Sequence, residues 1–379
     1  MRIIGLDLGG KKTCFCEVRD GKVVGRVTVR SIEQLVDVLG PNTPKARVLY
    51  EACREGWYVH DKLQSWGHEP WMLDTTRAKQ VGIGAHGKKT DRIDAETLAR
   101  ALEQNRAPRA HVLSPARRRL RDQVNIRRAL VQMRSQLATT IRGIVREQGV
   151  KLASCGPDHL IEKLRETQME PWLRSLLDPL MRTLATTNEQ LAQAEGVLEQ
   201  LCAEEPAIPV LATIKGVSLI VAASFVSVID EAGRFKNAHQ VEAYLGLVPL
   251  EDSSGGKRKL GSITKRGNSY LRTLLVQAAW TIMRTSSPDD PLRVWAESVA
   301  ARRGKRIAVV ALSRRLAGIM WAMWRDGTVY EPGALGKAQA RGLRVQAQNT
   351  QLRANALSAA ARKLARRRAP HLTEVSALG

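Results

Sequence analysis

The sequence lacks the cysteine patterns of a metal-binding or disulfide-stabilised protein. Its five cysteines are odd in number and irregularly spaced. No CxxC motif pairs with a second CxxC or with an HxxxH motif, which argues against a structural zinc site. Reduced cysteines that pack in the interior fit a cytosolic protein.

Long apolar runs are also missing. No uninterrupted segment approaches the roughly 20 apolar residues that a membrane-spanning helix needs. The opening residues MRIIGLDLGG are apolar only briefly and contain Asp7, which is not typical of a signal peptide. We therefore expect a cytosolic protein with no membrane partner.

Acidic residues are scarce. The 379 residues include 60 Lys or Arg but 37 Asp or Glu, which gives a formal net charge of +23 and a pI of about 10.4. Because self-repulsion of this charge opposes the compact state, stability does not explain it. A polyanionic partner does explain it, with nucleic acid as the first candidate and an anionic membrane surface as the second.

Strand and helix patterns alternate along the first hundred residues. Two strand patterns flank a Gly-Gly turn, and an Asp-Gly turn leads to a third, VVGRVTV. The strand patterns RVLYE and HEPWMLD then alternate with helical ones, the last being DRIDAETLARALEQ. Three antiparallel strands followed by this alternation predict an α/β domain over residues 1–105.

Residues 106–205 predict a helical linker. From Arg106 to Arg146 there are eleven Arg and one acid. Apolar residues recur there at helical spacing, at Ile126, Leu130, Met133, Leu137, Ile141 and Ile144. This pattern predicts a long basic amphipathic helix, with a merely solvated charged face as the alternative.

The second part of this linker has a heptad pattern. Leucines fall every seven residues, at Leu177, Leu184, Leu191 and Leu198. The pattern favours a coiled coil, within or between chains, over an amphipathic helix packed on its own domain.

Residues 206–330 predict a mainly helical domain. TIKGVSLIVAASFV has the pattern of a helix-hairpin-helix, whose Lys-Gly turn would present backbone N–H groups to a phosphate; a simple helical hairpin is the alternative. Further helices are expected at Asn268–Thr285 and Lys305–Trp324. Residues 331–379 predict a basic tail that becomes ordered on binding.

Four carboxylates in the first domain form a candidate metal site. Asp7 lies inside a strand pattern, where an acid is unfavourable unless it is paired or binds a cation, and Glu51 ends the strand RVLYE. Asp91 and Asp94 share one face at a helix start, although each alone would be explained as an N-cap or a first-turn acid. Together the four predict a Mg²⁺ or Mn²⁺ site for phosphoryl transfer. Flanking cations that would guide a phosphate backbone are Lys88, Lys89 and Arg92.

These stretches resemble a known family. IGLDLGGKKTCFCEV, YEACREGWYVHDKL and GKKTDRIDAETLARAL are similar to the amino-terminal domain of the DEDD transposases, which resembles the RuvC resolvase of the RNase H-like fold. RFKNAHQVEAYLGLVPLEDSSGGKRKLGSITKRGN is similar to the family's carboxy-terminal transposase domain. The resemblance implies an RNase H-like domain, a coiled linker and a mainly helical serine-containing domain.

The resemblance also implies an activity. Family members are RNA-guided recombinases of bacterial insertion sequences, in which a structured guide RNA pairs with donor and target DNA. Asp7, Glu51, Asp91 and Asp94 would be the acidic tetrad that holds the divalent metal. A serine of the second domain would form a phosphoserine link to DNA; the family's SG signature points to Ser254, and the adjacent Ser253 stays open. The working form would be a homodimer that pairs into a homotetramer.

The residues around this serine are compatible with that role. Gly255 and Gly256 allow close backbone approach, and SGGK lacks the GxxxxGK[ST] spacing of a P-loop. Neighbouring cations that would hold phosphates are Lys257, Arg258, Lys259, Lys265, Arg266 and Arg272.

Two other functions stay open at this point. The first is a RuvC-like nuclease that hydrolyses DNA with metal-activated water and uses Ser254 only structurally. The second is a non-catalytic architectural protein, for which the positive charge alone would suffice.

Overall fold

The computed structural model describes residues 1–83, 91–251 and 260–331, and the side chains of Asp91, Arg92 and Leu260 lie outside the description. The chain divides into two compact units, Met1–Leu113 and a second that begins at Ser114. The predicted division at 105, 205 and 330 stays a prediction, and the basic tail from residue 332 onward lies outside the described residues.

The first unit is a mixed sheet with helices on both faces. The strands are β1 (Arg2–Leu8), β2 (Thr13–Arg19), β3 (Lys22–Val29), β4 (Ala46–Glu51) and β5 (Glu69–Leu73). The helices are α1 (Val36–Leu39), which follows a 3-10 turn at Ile32–Leu35, then α2 (Gly56–Ser65), α3 (Thr75–Gln80) and α4 (Asp91–Glu103).

The strand order is β3-β2-β1-β4-β5. β2 is antiparallel to β1 and β3, whereas β1, β4 and β5 run parallel to one another. This mixed α/β sheet confirms the predicted α/β domain and is consistent with an RNase H-like fold.

Alternation along the strands fixes which helix covers which face, because successive strand residues point to opposite faces. Leu6 and Tyr50 are fully buried in one cluster with Leu39 and Leu63, so α1 and α2 cover this face. Leu49 instead packs with residues of α4, which covers the opposite face.

Over residues 114–251 and 260–331, the second unit is helical apart from one two-stranded ribbon. Its helices are α5 (Pro115–Glu147), α6 (Leu160–Glu166), α7 (Pro171–Ala203), α8 (Ala207–Leu211), α9 (Leu219–Ile229), α10 (Ala238–Tyr244), α11 (Ser269–Thr285), α12 (Pro291–Arg303) and α13 (Lys305–Asp326). The ribbon pairs β6 (Pro249–Glu251) with β7 (Leu260–Ile263) in antiparallel orientation.

α5 and α7 form a long antiparallel hairpin. The predicted basic helix begins at Pro115 rather than at Arg106, because the Ser114 side chain caps it and proline suits the first helical position. The residues just before it form no helix, and Arg109 forms an isolated antiparallel bridge with Leu73 of β5.

The apolar stripe predicted on α5 is only partly the buried one. Ile126 and Met133 are 52% and 49% exposed, whereas Leu120 and Val124 are buried. The reason is the position of α7: it packs on a neighbouring face of α5, where Gln123 donates to the carbonyl of Ala194 over 2.7 Å.

The heptad leucines of α7 pack within the chain. Leu177 and Leu184 lie in one cluster with Ile141 of α5, and all four heptad leucines are at most 3% exposed. A supercoil and any pairing between chains stay predictions.

α9 and α13 form the centre of the second unit's core. α9 is buried from Val221 to Ile229, and the Trp321 indole on α13 donates to the carbonyl of Ala232 over 2.9 Å. Within the described residues, α13 is also the one helix that is long and apolar enough to cross a membrane, and 56% of that stretch is buried.

Candidate active site

The carboxyl ends of two neighbouring strands bring two predicted acids together. β1 and β4 are parallel, and Leu6 pairs with Tyr50 in their register. Asp7 and Glu51 are the next residues along each strand, so they lie at adjacent positions at one edge of the sheet. Asp7 is half-buried and Glu51 is exposed.

Both acids belong to the sheet face that α4 covers, because strand residues two apart share a face. Gly5, two residues before the first acid, meets α4 so closely that a Cβ would lie 2.1 Å from the carbonyl oxygen of Ala95. Leu49, two residues before the second acid, packs in one cluster with Leu98 of α4.

α4 runs against the direction of β1. Gly5 faces Ala95, near the helix start, whereas Ile3 packs against the cluster that contains Leu102, near the helix end. The first turn of α4 therefore lies toward the carboxyl end of β1, on the side of the two strand-end acids. Asp94 in this turn is half-buried.

The donor chemistry suits a hard divalent cation, because carboxylate oxygens are the ligands that Mg²⁺ and Mn²⁺ prefer. Among the described side chains, no group of three or more His, Cys, Asp or Glu is arranged to hold one metal ion. Asp91, the fourth predicted ligand, is not among these side chains. The predicted metal site stays a prediction.

Sequence reasoning did not anticipate two features of this edge. The first is the close contact of Gly5 with α4. The sequence does contain a signal for it, because a glycine inside a strand pattern often marks a close backbone approach. The second is Cys53, which is exposed and not packed in the interior as expected. Its thiol pKa is raised, chiefly by desolvation, with negative charge on Glu55 and Asp7 acting in the same direction. A neutral thiol beside the acids is a poor ligand for a hard cation.

The predicted nucleophile lies between the two strands of the ribbon in the sequence. The structure does not describe this nucleophile or its immediate surroundings. The predicted residues outside the described part are Ser253, Ser254, Lys257, Arg258 and Lys259 there, and Lys88 and Lys89 of the first unit. The structure describes what supports the ribbon at its base.

That base is an interlocked pair of turns. Gly246 has a φ of +70°, and a Cβ there would lie 2.0 Å from the carbonyl oxygen of Arg266. Gly267 has a φ of +79°, and a Cβ there would lie 2.2 Å from the carbonyl oxygen of Tyr244. The two glycines therefore let the end of α10 and the chain that leaves β7 pass in direct backbone contact.

Arg272 of α11 holds this crossing together. Its Nη1 donates to the carbonyl of Leu245 over 3.1 Å and to that of Arg266 over 2.6 Å. Burial lowers the pKa of Arg272. Arg272 was predicted to bind nucleic acid. Its two hydrogen bonds to backbone carbonyls give it a structural role, and the nucleic-acid role stays a prediction.

Two other predicted cations lie beside the crossing and are exposed. Lys265 and Arg266 are exposed, and neither forms an ion pair with an acid in the part of the chain that the structure describes. Lys265 has a φ of +56°, a strained conformation for a residue with a side chain.

The Lys-Gly turn predicted as a phosphate cradle joins α8 to α9. Gly216 has a φ of +87°, and a Cβ there would lie 2.8 Å from the carbonyl oxygen of Ala278. This side of the turn therefore packs on α11, while Lys215 is exposed. Phosphate binding at the turn stays a prediction.

Family models match both units of the chain. A transposase model of the IS110 DEDD type matches residues 4–148, and a model described as the transposase IS116/IS110/IS902 family matches residues 208–292.

Curated relatives extend the match over most of the chain. A putative transposase y4qE of Sinorhizobium fredii is 30% identical over 317 residues, covering 73% of this chain and 75% of the relative. A probable family 20 transposase of Pseudomonas aeruginosa is 29% identical, covering 76% and 87%. A transposase for insertion sequence element IS1111A of Coxiella burnetii is 26% identical, covering 88% and 92%. The chain therefore belongs to the IS110/IS116 family of insertion-sequence transposases, enzymes that process DNA.

Proposed function

We propose that the protein is an RNA-guided DNA transposase that cuts and rejoins DNA through a phosphoserine intermediate, assisted by a metal-bound acidic site. The observation that carries this proposal is the placement of Asp7 and Glu51 at adjacent strand ends, on the face where α4 begins. Family membership makes DNA the partner.

The acidic site would be formed by Asp7, Glu51, Asp91 and Asp94. A bound Mg²⁺ or Mn²⁺ would stabilise negative charge on the oxygens of a phosphoryl transfer. The contribution of the fold is rigidity: the close contact of Gly5 with α4 fixes the helix that carries two of the acids against the strand that carries the first.

The nucleophile would be Ser254, with Ser253 as the adjacent alternative. In the first step the serine oxygen bonds to phosphorus, one phosphorus–oxygen bond of the DNA breaks, and the proton of the serine hydroxyl ends on the released sugar oxygen. In the second step a DNA hydroxyl attacks the phosphoserine, which rejoins the DNA and returns a proton to serine. Each step exchanges one phosphodiester for another, so no external energy source is needed.

Cations around the serine would hold the DNA phosphates. Lys265 and Arg266 are exposed at the base of the ribbon and have no acidic partner among the described residues. Charge-assisted hydrogen bonds to phosphate are the strong kind, and they position the backbone rather than read its sequence.

Guide RNA and higher assembly complete the proposal. The formal net charge of +23 supports a second polyanionic partner beside DNA, which we assign to a structured guide RNA. We further propose that homodimers pair into homotetramers, so that the acidic site and the serine of different subunits combine.

The test is strand exchange between donor and target plasmids, combined with a search for protein covalently joined to DNA. The wild-type protein should give both products, Ser254→Ala should give neither, and Asp7→Asn should give neither while still binding DNA. Ser262→Ala, an exposed serine of β7, is the matched control and should behave as wild type.

Three results would count against parts of this proposal. Adducts that persist in Ser254→Ala but disappear in Ser253→Ala would move the nucleophile by one residue. Free DNA ends without any adduct would identify a hydrolytic nuclease instead. Undiminished strand exchange in Asp7→Asn would remove the acidic site from the mechanism.

A further inference from the structure

The far end of α5 folds into a turn that the proposed function does not use. Gly149 has a φ of +73°, its N–H donates to the carbonyl of Arg146, and the N–H of Val150 donates to that of Val145. This hydrogen-bond pair is a Schellman motif, and the packing of Val150 with Val145 in one cluster is the apolar contact that accompanies it. The motif turns the chain back along the last turns of the helix.

The returning chain is fixed by Arg142. Its Nη2 donates to the carbonyl of Cys155 over 2.8 Å, so the guanidinium joins the helix to the segment that follows it. Between the helix and this segment lies a cleft of about 690 Å³. This volume lies within the range of roughly 300–1,000 Å³ that is typical of sites for small organic ligands.

The lining of the cleft combines positive charge with an apolar floor. Arg142, Arg146 and Lys151 contribute three cations, and no acidic residue lines the cleft. Arg146 and Lys151 are exposed and form no ion pair with any described acid. Val150 and Leu152 provide apolar surface beside them.

The position of the cleft at a helix carboxyl terminus accounts for only part of this charge. The helix end carries about half a negative charge, which favours arginines in the last turn and disfavours an anion. Lys151 lies beyond the helix, however, and three cations exceed that half charge several-fold. The Schellman hydrogen bonds also occupy two of the terminal carbonyls that would repel an anion.

We propose that this cleft binds an unpaired nucleotide of a single-stranded nucleic acid, with the phosphate on Arg146 and Lys151 and the base on the apolar floor. The cations would pair with the phosphate, and the base would cover the apolar side chains of Val150 and Leu152. A paired base inside a duplex does not present its face to such a floor. The strand is either RNA or the single-stranded part of a DNA substrate.

The test is fluorescence anisotropy with labelled oligouridylate, oligothymidylate and duplex DNA, using the full-length protein. The variant is Arg146→Gln with Lys151→Gln. The control is Arg302→Gln with Arg303→Gln, at two exposed cations at the end of α12. These substitutions remove the same amount of positive charge as the cleft variant does. Circular dichroism and the melting temperature verify that both variants fold.

We expect the cleft variant to bind one or both single-stranded probes about 25-fold more weakly at 0.1 M salt, since two phosphate contacts at about 0.7 counterions each give a factor of roughly 10 to the power 1.4. The slope of log affinity against log salt should fall by about 1.4 for the same reason. A loss confined to oligouridylate assigns the site to RNA, and a loss confined to oligothymidylate assigns it to DNA.

Two results would overturn the site. An equal loss in the α12 control would mean that total charge alone is responsible. An equal loss for duplex DNA would mean that no unpaired nucleotide is recognised. Because the assay measures binding without catalysis, its failure would leave the proposed serine chemistry untouched.

Discussion

Replacing Gly5 with Ala tests whether the contact between β1 and α4 organises the acidic edge. The new Cβ would lie 2.1 Å from the carbonyl oxygen of Ala95 and 2.6 Å from the amide nitrogen of Ala99. Ordinary contacts begin at 3.4 Å, so the nearer atom is about 1.3 Å too close. Both atoms belong to the helix backbone, so no side-chain rotation relieves the overlap and α4 must move as a body.

The expected loss of stability is at the upper end for overpacking, about 3 kcal/mol. Moving α4 also pulls its buried Leu98 and Leu102 away from Leu49 of β4, which adds to the loss. Because the chain has two units, we would not treat unfolding as two-state. Hydrogen exchange should instead show faster exchange in α4 and β1, and strand exchange should fall even at temperatures where the protein stays folded.

Gly25→Ala is the matched control. Gly25 also lies in the sheet, but a Cβ there would be 3.7 Å from Phe15 and 3.8 Å from Glu17, which are ordinary distances. We expect this variant to be as stable as wild type or slightly more stable, because alanine restricts the unfolded chain. If Gly5→Ala matched Gly25→Ala in exchange rates and activity, the contact would not organise the edge.

Three further predictions concern the second unit. Gly149→Ala should destabilise by about 1–2 kcal/mol because its φ is +73°, whereas Gly143→Ala inside α5 should stabilise by about 0.5–1 kcal/mol; equal unfolding midpoints would contradict this. Asp230→Ala should cost about 2 kcal/mol, because the Asp230 carboxylate accepts from the Ser114 amide and hydroxyl, and Asp230→Asn should lose less in the same thermal melt. Burial raises the pKa of Cys202 to about 11. Iodoacetamide at pH 8 should therefore modify this thiol only after denaturation, and fast modification of Cys202 in the folded protein would refute its burial.

The sequence was sufficient to predict the first unit, because its signals are local. Strand alternation and the Asp-Gly turn predicted the antiparallel strands. Asp7 was predicted inside a strand and Glu51 at a strand end, and the structure places the two acids at adjacent positions because β1 and β4 run parallel. What the sequence could not supply was the distance between α4 and β1, because Gly5 is as compatible with a turn or a bulge as with a helix crossing.

The second unit shows where periodicity fails. α5 is amphipathic, yet the face chosen from the sequence leaves Ile126 and Met133 about half exposed. Two overlapping apolar faces are present on this helix, and only the partner decides which one is buried. α7 packs against the face that carries Leu120 and Val124, which is why this face is the buried one. The contact joins residues about 70 positions apart in the chain, as between Gln123 and Ala194.

Net charge has a similar limit as a guide to nucleic-acid contacts. Several arginines of α5 hold the second unit together: Arg117 pairs with Glu205 and donates to the carbonyl of Asp230 over 3.1 Å, and Arg127 pairs with Glu195 over 2.6 Å. Replacing these would weaken binding by disturbing the fold.

Exposed cations with no described acid beside them are the better candidates for phosphate contacts. Arg146 and Lys151 at the cleft meet this criterion, as do Lys265 and Arg266 at the base of the ribbon. The two pairs lie in different parts of the second unit, so charge removal at each should affect different steps: single-strand binding at the cleft, and DNA cleavage at the ribbon. If removing either pair reduced single-strand binding and DNA cleavage equally, the surface would act as one undivided positive field.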